Sequence, residues 1–297
     1  AVWKATGFPV TGLCHGVFSV GHYLADALGV ARDSFTYTAV GINHLTWFTE
    51  AFSEGRDVWP RLLAMAERAL EAGDTREPTP EACGPADAAP WDNPFSWQLL
   101  HRLGAFPCPL DRHVVEFFPE FFRDGRYLGK TLGRDVISFE KVVDGGDRKF
   151  EEMRRVATSD DAVPDAYLHR GSGEHEQVLD IVENIRRDGG RVFSANLPNT
   201  GQVPNLPPDA ILESPAIATA SGLRPVALPP LEPSLAAPLA SRIQYVETLV
   251  DAALTGSRDG LIRALILDGS VTSLDQAARL ADALLRAHDR DLPRFTG

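Results

Sequence analysis

The order of the predicted elements indicates an α+β fold, in which strands and helices occupy separate parts of the chain. Two groups of residues alternate apolar and polar side chains as strands do, at 35–48 and at 191–228. Segments with helical spacing precede and separate these groups, and residues 234–288 read as two or three further helices. The 297 residues, 44% of them hydrophobic, are enough to bury a large core.

In the first part of the chain, each predicted element is bounded by turn residues. Apolar spacing predicts a helix over 19–28, then a pair of strands at 35–40 and 45–48. A second helix is predicted over 57–72, where leucines form a buried stripe. Residues 73–93 are rich in Pro, Gly, Ala and acidic residues, and they predict a flexible loop.

In the remainder, proline and glycine again separate the elements. A helix is predicted over 114–122, where Pro119 must bend or break it. The other predicted elements are helices at 95–103 and 172–187, strands at 191–195, 210–218 and 224–228, and a long turn-rich loop at 196–208.

Charge and composition exclude several classes of function. The net charge of −12 argues against nucleic acid and anionic membrane surfaces as partners, because both bind basic proteins. No apolar run reaches the roughly 18–20 residues that a membrane helix needs. Three cysteines are too few for a disulfide framework, and no apolar signal segment follows Lys4. We therefore expect a cytoplasmic protein with no membrane or nucleic-acid partner.

Two short glycine-bounded segments carry soft metal ligands. Cys14 lies in the segment Gly-Leu-Cys-His-Gly at 12–16, and His44 ends Gly-Ile-Asn-His at 41–44. A thiolate and an imidazole together leave coordination positions open on a divalent metal, as a catalytic site requires. The alternative is structural: Cys14 is then a buried core thiol and His44 a hydrogen-bonded residue at the end of a strand.

The segment 111–119 places four ionisable side chains among prolines and phenylalanines. Asp111, Arg112, His113 and Glu116 lie within six residues. Burial raises the pKa of a carboxyl group and a nearby arginine lowers it, so such a cluster can be tuned for proton transfer. The alternative interpretation is that Asp111 caps a helix and Glu116 forms a surface ion pair.

Three asparagines lie within the twelve residues 196–207, together with three prolines and a glycine. Asn196, Asn199 and Asn205 would present amides on a rigid loop. Amides recognise hydroxyl groups without adding charge, which suits a sugar or a nicotinamide amide. Asparagine is also common in turns for structural reasons, so at least one of the three is expected to support the loop.

Taken in order, these four segments resemble glycoside hydrolase family 4, whose members use NAD and a divalent metal, usually manganese. The forms at 12–16 and 111–119 are most similar to the α-galacturonidase and α-galactosidase branch, with α-galacturonidase closer. The resemblance implies a C-terminal domain like that of lactate and malate dehydrogenases, with a mixed sheet surrounded by helices. It also implies that residues 1–297 form the metal- and substrate-binding part of a longer enzyme whose N-terminal NAD-binding domain is missing. No glycine-rich phosphate loop occurs, and the sequence does not begin with methionine.

The activity implied by the resemblance is hydrolysis of α-glycosides, most of all α-galacturonides, by redox elimination and addition. NAD oxidises C3 of the sugar, the C2 proton is removed, the C1–O bond is eliminated, water adds and the hydride returns. A divalent metal, Mn²⁺ in most members, stabilises the negative charge that develops on the C2 and C3 oxygens. By motif position, Cys14 and His44 are its protein ligands.

The resemblance also assigns roles to the remaining motif residues. Asp111 is the expected base at C2, and His15 follows the metal cysteine, where some members carry a general acid. Asn43, Arg112 and His113 are expected to bind the substrate, Arg112 through a uronate carboxylate. Asn196 and Asn199 are expected to border it.

Partners and competing functions complete the expectations. The expected partners are a small glycoside or oligosaccharide and further copies of the enzyme, as a homodimer or tetramer. One alternative function is an NAD-dependent 2-hydroxy-acid dehydrogenase, which needs a His–Asp relay and paired arginines but no Cys–His metal pair. A second is a non-catalytic fragment that serves in assembly or binding.

Overall fold

The computed structural model describes residues 2–71, 93–122, 124–127, 130–131, 138–159, 162–165 and 176–295. Its helices and strands confirm the predicted α+β class. The helices in chain order are α1 (Val2–Thr6), α2 (Gly16–Leu28), α3 (Trp59–Glu71), α4 (Pro94–Leu103), α5 (Asp111–Val114), α6 (Phe139–Thr158), α7 (Glu176–Arg187), α8 (Pro233–Thr255), α9 (Arg258–Asp268) and α10 (Leu274–Ala287).

The strands of the main sheet are β1 (Phe35–Ile42), β2 (Leu45–Ser53), β3 (Arg56–Asp57), β4 (Phe106–Cys108), β7 (Val192–Pro198), β8 (Ile211–Thr219) and β9 (Gly222–Pro225), and a separate pair is formed by β5 (Arg126–Tyr127) and β6 (Lys130–Thr131). In the described part of the chain, the main sheet has seven strands in the order β3-β2-β1-β8-β7, and it branches where β4 also pairs with β2 and β9 also pairs with β8. We expected mixed pairing, but every described strand pair is antiparallel.

The sheet buries apolar side chains on both faces, because successive residues of a strand point in opposite directions. Ala39 and Phe48 pack on one face, in a core that includes residues of α2, α3 and α4. Val40 and Trp47 pack on the other face, in a core that includes residues of α8. The carboxyl end of β1 and the start of β2 are thus held firmly between two cores.

Most predicted elements are present with shifted ends. The helix predicted from 19 begins at Gly16, and the three C-terminal helices are α8, α9 and α10. The segment predicted as one bent helix over 114–122 is a four-residue α-helix followed by 3₁₀ turns on either side of Phe118. The predicted loop 73–93 lies outside the described residues except for Asn93, and so do residues 172–175 of the predicted helix 172–187.

Several elements were not predicted, among them helix α6 and strand β4. Helix α6 is rich in charge and none of its side chains is buried, although its apolar residues follow helical spacing. Strand β4 is only three residues long and contains a proline, which is usual only at a sheet edge. Among the described helices, none is both long enough and apolar enough to cross a membrane.

Candidate functional site

The two-residue turn between β1 and β2 carries Asn43 and His44. Ile42 pairs with Leu45, so the turn is as short as a hairpin allows. Gly41 is required there, because a Cβ atom at this position would lie 2.2 Å from the carbonyl oxygen of Leu45. His44 adopts a left-handed backbone conformation with φ of 66°, which is uncommon for a residue other than glycine. The tight turn therefore fixes where the asparagine and the histidine lie.

Cys14 lies at the start of helix α2, in a segment that runs beside β7. The Gly12 carbonyl oxygen accepts a hydrogen bond of 2.9 Å from the backbone N–H of Asn196, which ties the two motifs together. The backbone N–H of Gly16 donates to the Cys14 Sγ over 3.4 Å. Since a helix N-terminus favours negative charge, this position suits a thiolate.

Histidines from two motifs meet beside the hairpin turn. The rings of His44 and His113 lie 4.6 Å apart between centroids. Burial lowers the pKa of His44, with a further contribution from His15. Burial and the nearby positive groups His44, Arg112 and His15 lower the pKa of His113 to about 4. Both rings are therefore neutral near pH 7, which is the form that binds metals.

Cys14 and His44 would supply only part of the coordination shell of a metal ion. Among the residues that the structure describes, no group of three or more His, Cys, Asp or Glu side chains is arranged to hold a metal ion. A metal bound by Cys14 and His44 would therefore keep several positions for water or substrate oxygens, as in a catalytic rather than a structural site. The neutral imidazole and the thiol at a helix N-terminus fit this description, so the two ligands stay a prediction that the chemistry allows.

A cavity of about 500 Å³ opens beside the turn, and it contains two of the predicted substrate residues, Asn43 and Asn196. Its walls are mostly apolar and include Ile42, Phe117 and Ile211, with α8 along one side. An apolar cavity with a few polar groups is typical of a small-molecule site. The two amides can donate hydrogen bonds to hydroxyl groups or accept hydrogen bonds from them.

Behind this cavity lies Glu213, which the sequence analysis did not identify. It is 1% exposed and is paired in register with Gly41 on one side and Asn196 on the other. Burial raises its pKa to about 7, while the side chains of Asn43, Ser194 and Asn196 act as donors that lower it. The available signal was a single acidic residue inside an otherwise apolar predicted strand.

Asp111, the expected base, lies in a different environment. Its carboxylate accepts hydrogen bonds from the backbone N–H groups of Phe95 and Ser96, over 2.8 and 2.7 Å, and from the hydroxyls of Ser96 and Tyr127. It is 1% exposed and caps the N-terminus of α4 from a distant part of the chain. Its role as base stays a prediction, and the observed contacts are those of a structural anchor.

The side chains of the two predicted loop asparagines, Asn196 and Asn199, also have different surroundings. The Asn199 amide nitrogen lies 3.0 to 3.1 Å from the carbonyl oxygens of Val203, Leu206 and Pro207. Its carbonyl oxygen accepts from the backbone N–H groups of Gly201 and Val203. Asn199 is therefore occupied in holding the loop closed, whereas Asn196 lines the cavity.

His113 lies beside the turn, with Arg112 before it in the chain, and His15 is exposed just before α2. Their expected roles stay predictions. The Arg112 Nε is buried, and no described residue accepts a hydrogen bond from it. A buried donor without an acceptor is costly, so it marks a position where a ligand could bind.

Comparison with known proteins agrees with the motif order. Residues 39–271 match the model of the family 4 glycosyl hydrolase C-terminal domain. An α-galactosidase of Rhizobium meliloti is 26% identical over 96% of this chain, and an α-galacturonidase of Bacillus subtilis is 28% identical over 91%. A 6-phospho-α-glucosidase from gut microorganisms, solved with NAD and Mn²⁺, is 18% identical over 97% of this chain with a TM-score of 0.73.

These relatives are longer than the chain. It spans 56% of the α-galactosidase, 59% of the α-galacturonidase and 63% of the solved 6-phospho-α-glucosidase. The family model nevertheless covers most of the chain, from within β1 to beyond the end of α9. The chain therefore belongs to the C-terminal domain family of the family 4 glycosyl hydrolases.

Proposed function

We propose that the chain forms the metal- and substrate-binding part of an NAD- and Mn²⁺-dependent α-glycosidase that acts on α-galacturonides. Three observations support the site: His44 and His113 are in ring contact, His15 is close enough to lower the pKa of both, and the neighbouring Asn43 lines a cavity together with Asn196. Relatives named α-galacturonidase and α-galactosidase support the substrate class. No observation favours the dehydrogenase alternative, because the family match is to glycosyl hydrolases.

Within this proposal, each residue of the chain has a limited task. Cys14 and His44 would hold the metal, and Asn43 and Asn196, which line the cavity, would bind sugar hydroxyls. When bound, NAD would exchange a hydride with sugar C3, and the metal would stabilise negative charge on the C2 and C3 oxygens. The apolar walls of the cavity would exclude water from the reacting carbons.

The choice of a uronate is carried by one observation, the buried Arg112 Nε that lacks an acceptor among the described residues. A carboxylate can accept two parallel hydrogen bonds from a guanidinium group. A neutral galactoside has no group of this shape and charge. Arg112 would therefore distinguish an acidic sugar from a neutral one.

The metal site can be tested by binding alone. Mn²⁺ is titrated into the chain and free Mn²⁺ is measured from its electron paramagnetic resonance signal. We expect His44→Ala and Cys14→Ser to weaken Mn²⁺ binding at least tenfold. The control His101→Ala removes an exposed histidine of α4 and is expected to change nothing. Equal binding by the wild type and His44→Ala would contradict the assignment.

The substrate can be tested with galacturonic acid and galactose, using calorimetry. The wild type is expected to prefer the acid, and Arg112→Lys should lose at least tenfold of this preference, because lysine cannot form the paired contact. Arg102→Lys, on the exposed end of α4, is the matched control. A full preference in Arg112→Lys would remove Arg112 from substrate recognition.

A further inference from the structure

Glu213 is a buried carboxylate without a basic partner among the groups that shift its pKa. It sits at the position where β8 pairs with both β1 and β7. The acidic groups that face it are Tyr37 of β1 and Cys108 of β4, and burial together with Glu213 raises the pKa of both. These neighbours stay uncharged near neutral pH, so they do not compensate the charge of Glu213.

A buried, unpaired carboxylate lowers stability unless its neighbours satisfy it. The neighbours present are three polar side chains, Asn43, Ser194 and Asn196. The Ser194 hydroxyl donates to Glu213 Oε1 over a long distance of 3.4 Å. Two of the three are the amides that line the cavity, whereas Glu213 itself does not line it.

An ionised carboxylate can only accept hydrogen bonds, so it selects the NH₂ end of an amide. The second hydrogen of the Asn196 amide is directed to the Gly12 carbonyl oxygen, at 3.3 Å. Both hydrogens of the Asn196 amide therefore bind acceptors of the protein, Glu213 and Gly12. Its carbonyl oxygen is left as the group that a sugar hydroxyl can reach.

We infer that Glu213 is a positioning residue, which turns the NH₂ groups of Asn43 and Asn196 toward itself and presents their carbonyl oxygens to the cavity. The inference deepens the proposed function and rests on it for the identity of the ligand. A sugar hydroxyl would then donate to each carbonyl oxygen. A protonated Glu213 could donate to one of these carbonyls itself, and that amide would reverse.

The orientation of the amides can be observed without any ligand. In the uniformly ¹⁵N-labelled chain, the side-chain amide signals of Asn43 and Asn196 are followed from pH 5.5 to 8.5. We expect both pairs of signals to shift together with a midpoint near pH 7 in the wild type and to stay fixed in Glu213→Gln. Signals of both amides that are the same in the wild type and in Glu213→Gln at every pH would overturn the inference.

Ligand affinity provides the second arm. Glu213→Gln is expected to bind galacturonic acid about tenfold more weakly than the wild type at pH 8, without a lower melting temperature. Glu50→Gln makes the same chemical change at an exposed site of β2 and should bind within twofold of the wild type. Equal affinity in Glu213→Gln would overturn the inference.

The two arms separate the two proposals. If the wild type binds neither galacturonic acid nor galactose, the proposed function fails. The amide signals then still decide whether Glu213 orients Asn43 and Asn196, because that arm needs no ligand.

Discussion

Asp111 and Glu213 are buried to the same extent, with 1% of each residue exposed, but they have opposite surroundings. Asp111 accepts two backbone N–H bonds at the start of α4 and two hydroxyl bonds. Among the described residues, Glu213 has only side-chain donors. Burial raises the pKa of both carboxyl groups, that of Glu213 to about 7. The first carboxylate holds a helix in place, and the second lies behind the amides of the candidate site.

The difference shows how a buried carboxylate can be assigned a role. Backbone donors at a helix N-terminus favour the charged form and connect distant parts of the chain, which is a structural contribution. A carboxylate without such donors, beside a cavity, opposes stability and is retained for another reason. Burial alone would not separate the two residues.

The largest expected effect is that of Asp111→Ala. This change leaves the N–H groups of Phe95 and Ser96 and the Tyr127 hydroxyl without an acceptor, because Asp111 accepts from all three. We expect the free energy of unfolding to fall by about 3 kcal/mol or more. Urea unfolding at pH 7 measures it. A loss below about 1 kcal/mol would show that Asp111 is not the anchor of α4.

The next largest effect is the pH dependence that Glu213 contributes. The pKa of Glu213 in the folded protein, about 7, is raised from the ordinary value of 4.5. The free energy of unfolding is therefore highest below pH 4.5, where Glu213 is protonated, and it falls as the pH rises through 7. The loss should reach at most about 3 kcal/mol. It is measured as the difference in unfolding free energy between the wild type and Glu213→Gln from pH 4.5 to 8.5. A difference that does not change with pH would contradict the raised pKa.

A smaller effect is expected for Asn199→Ala, which removes the side chain that closes the 199–207 loop. Several buried backbone groups lose a partner, and we expect a loss of about 2 kcal/mol. The control Asn184→Ala removes one bond to the Asp180 carbonyl oxygen and should cost less than half as much. Equal losses in thermal or urea unfolding would show that Asn199 does not hold the loop.

The sequence predicted the elements whose periodicity is strong and whose ends are marked. Helix α2, the β1–β2 hairpin and the C-terminal helices were predicted because local spacing determines them. Antiparallel pairing throughout the described sheet was not predicted, since pairing depends on contacts between distant residues. The single pairing of β1 with β8, at Gly41 and Glu213, is one of these contacts.

The site could be predicted only in part for the same reason. The resemblance assigned His44 and His113 to one site, and the structure brings their rings to 4.6 Å between centroids. The roles expected for these residues and for Asn43 and Arg112 stay predictions. The capping alternative for Asp111 was correct in kind, but the helix that it caps is α4 rather than its own. Only the three-dimensional structure brings Glu213 behind Asn43 and Asn196, because no local pattern links these residues.

One measurement tests the contrast between the two carboxylates most directly. Each carboxyl group is changed to an amide, in the variants Asp111→Asn and Glu213→Gln, and the free energy of unfolding is measured at pH 8. We expect Asp111→Asn to lower stability, because an NH₂ group would face the N–H donors of α4. We expect Glu213→Gln to raise it, because a buried charge is removed. A loss of stability in both variants would contradict the account and assign Glu213 a structural role like that of Asp111.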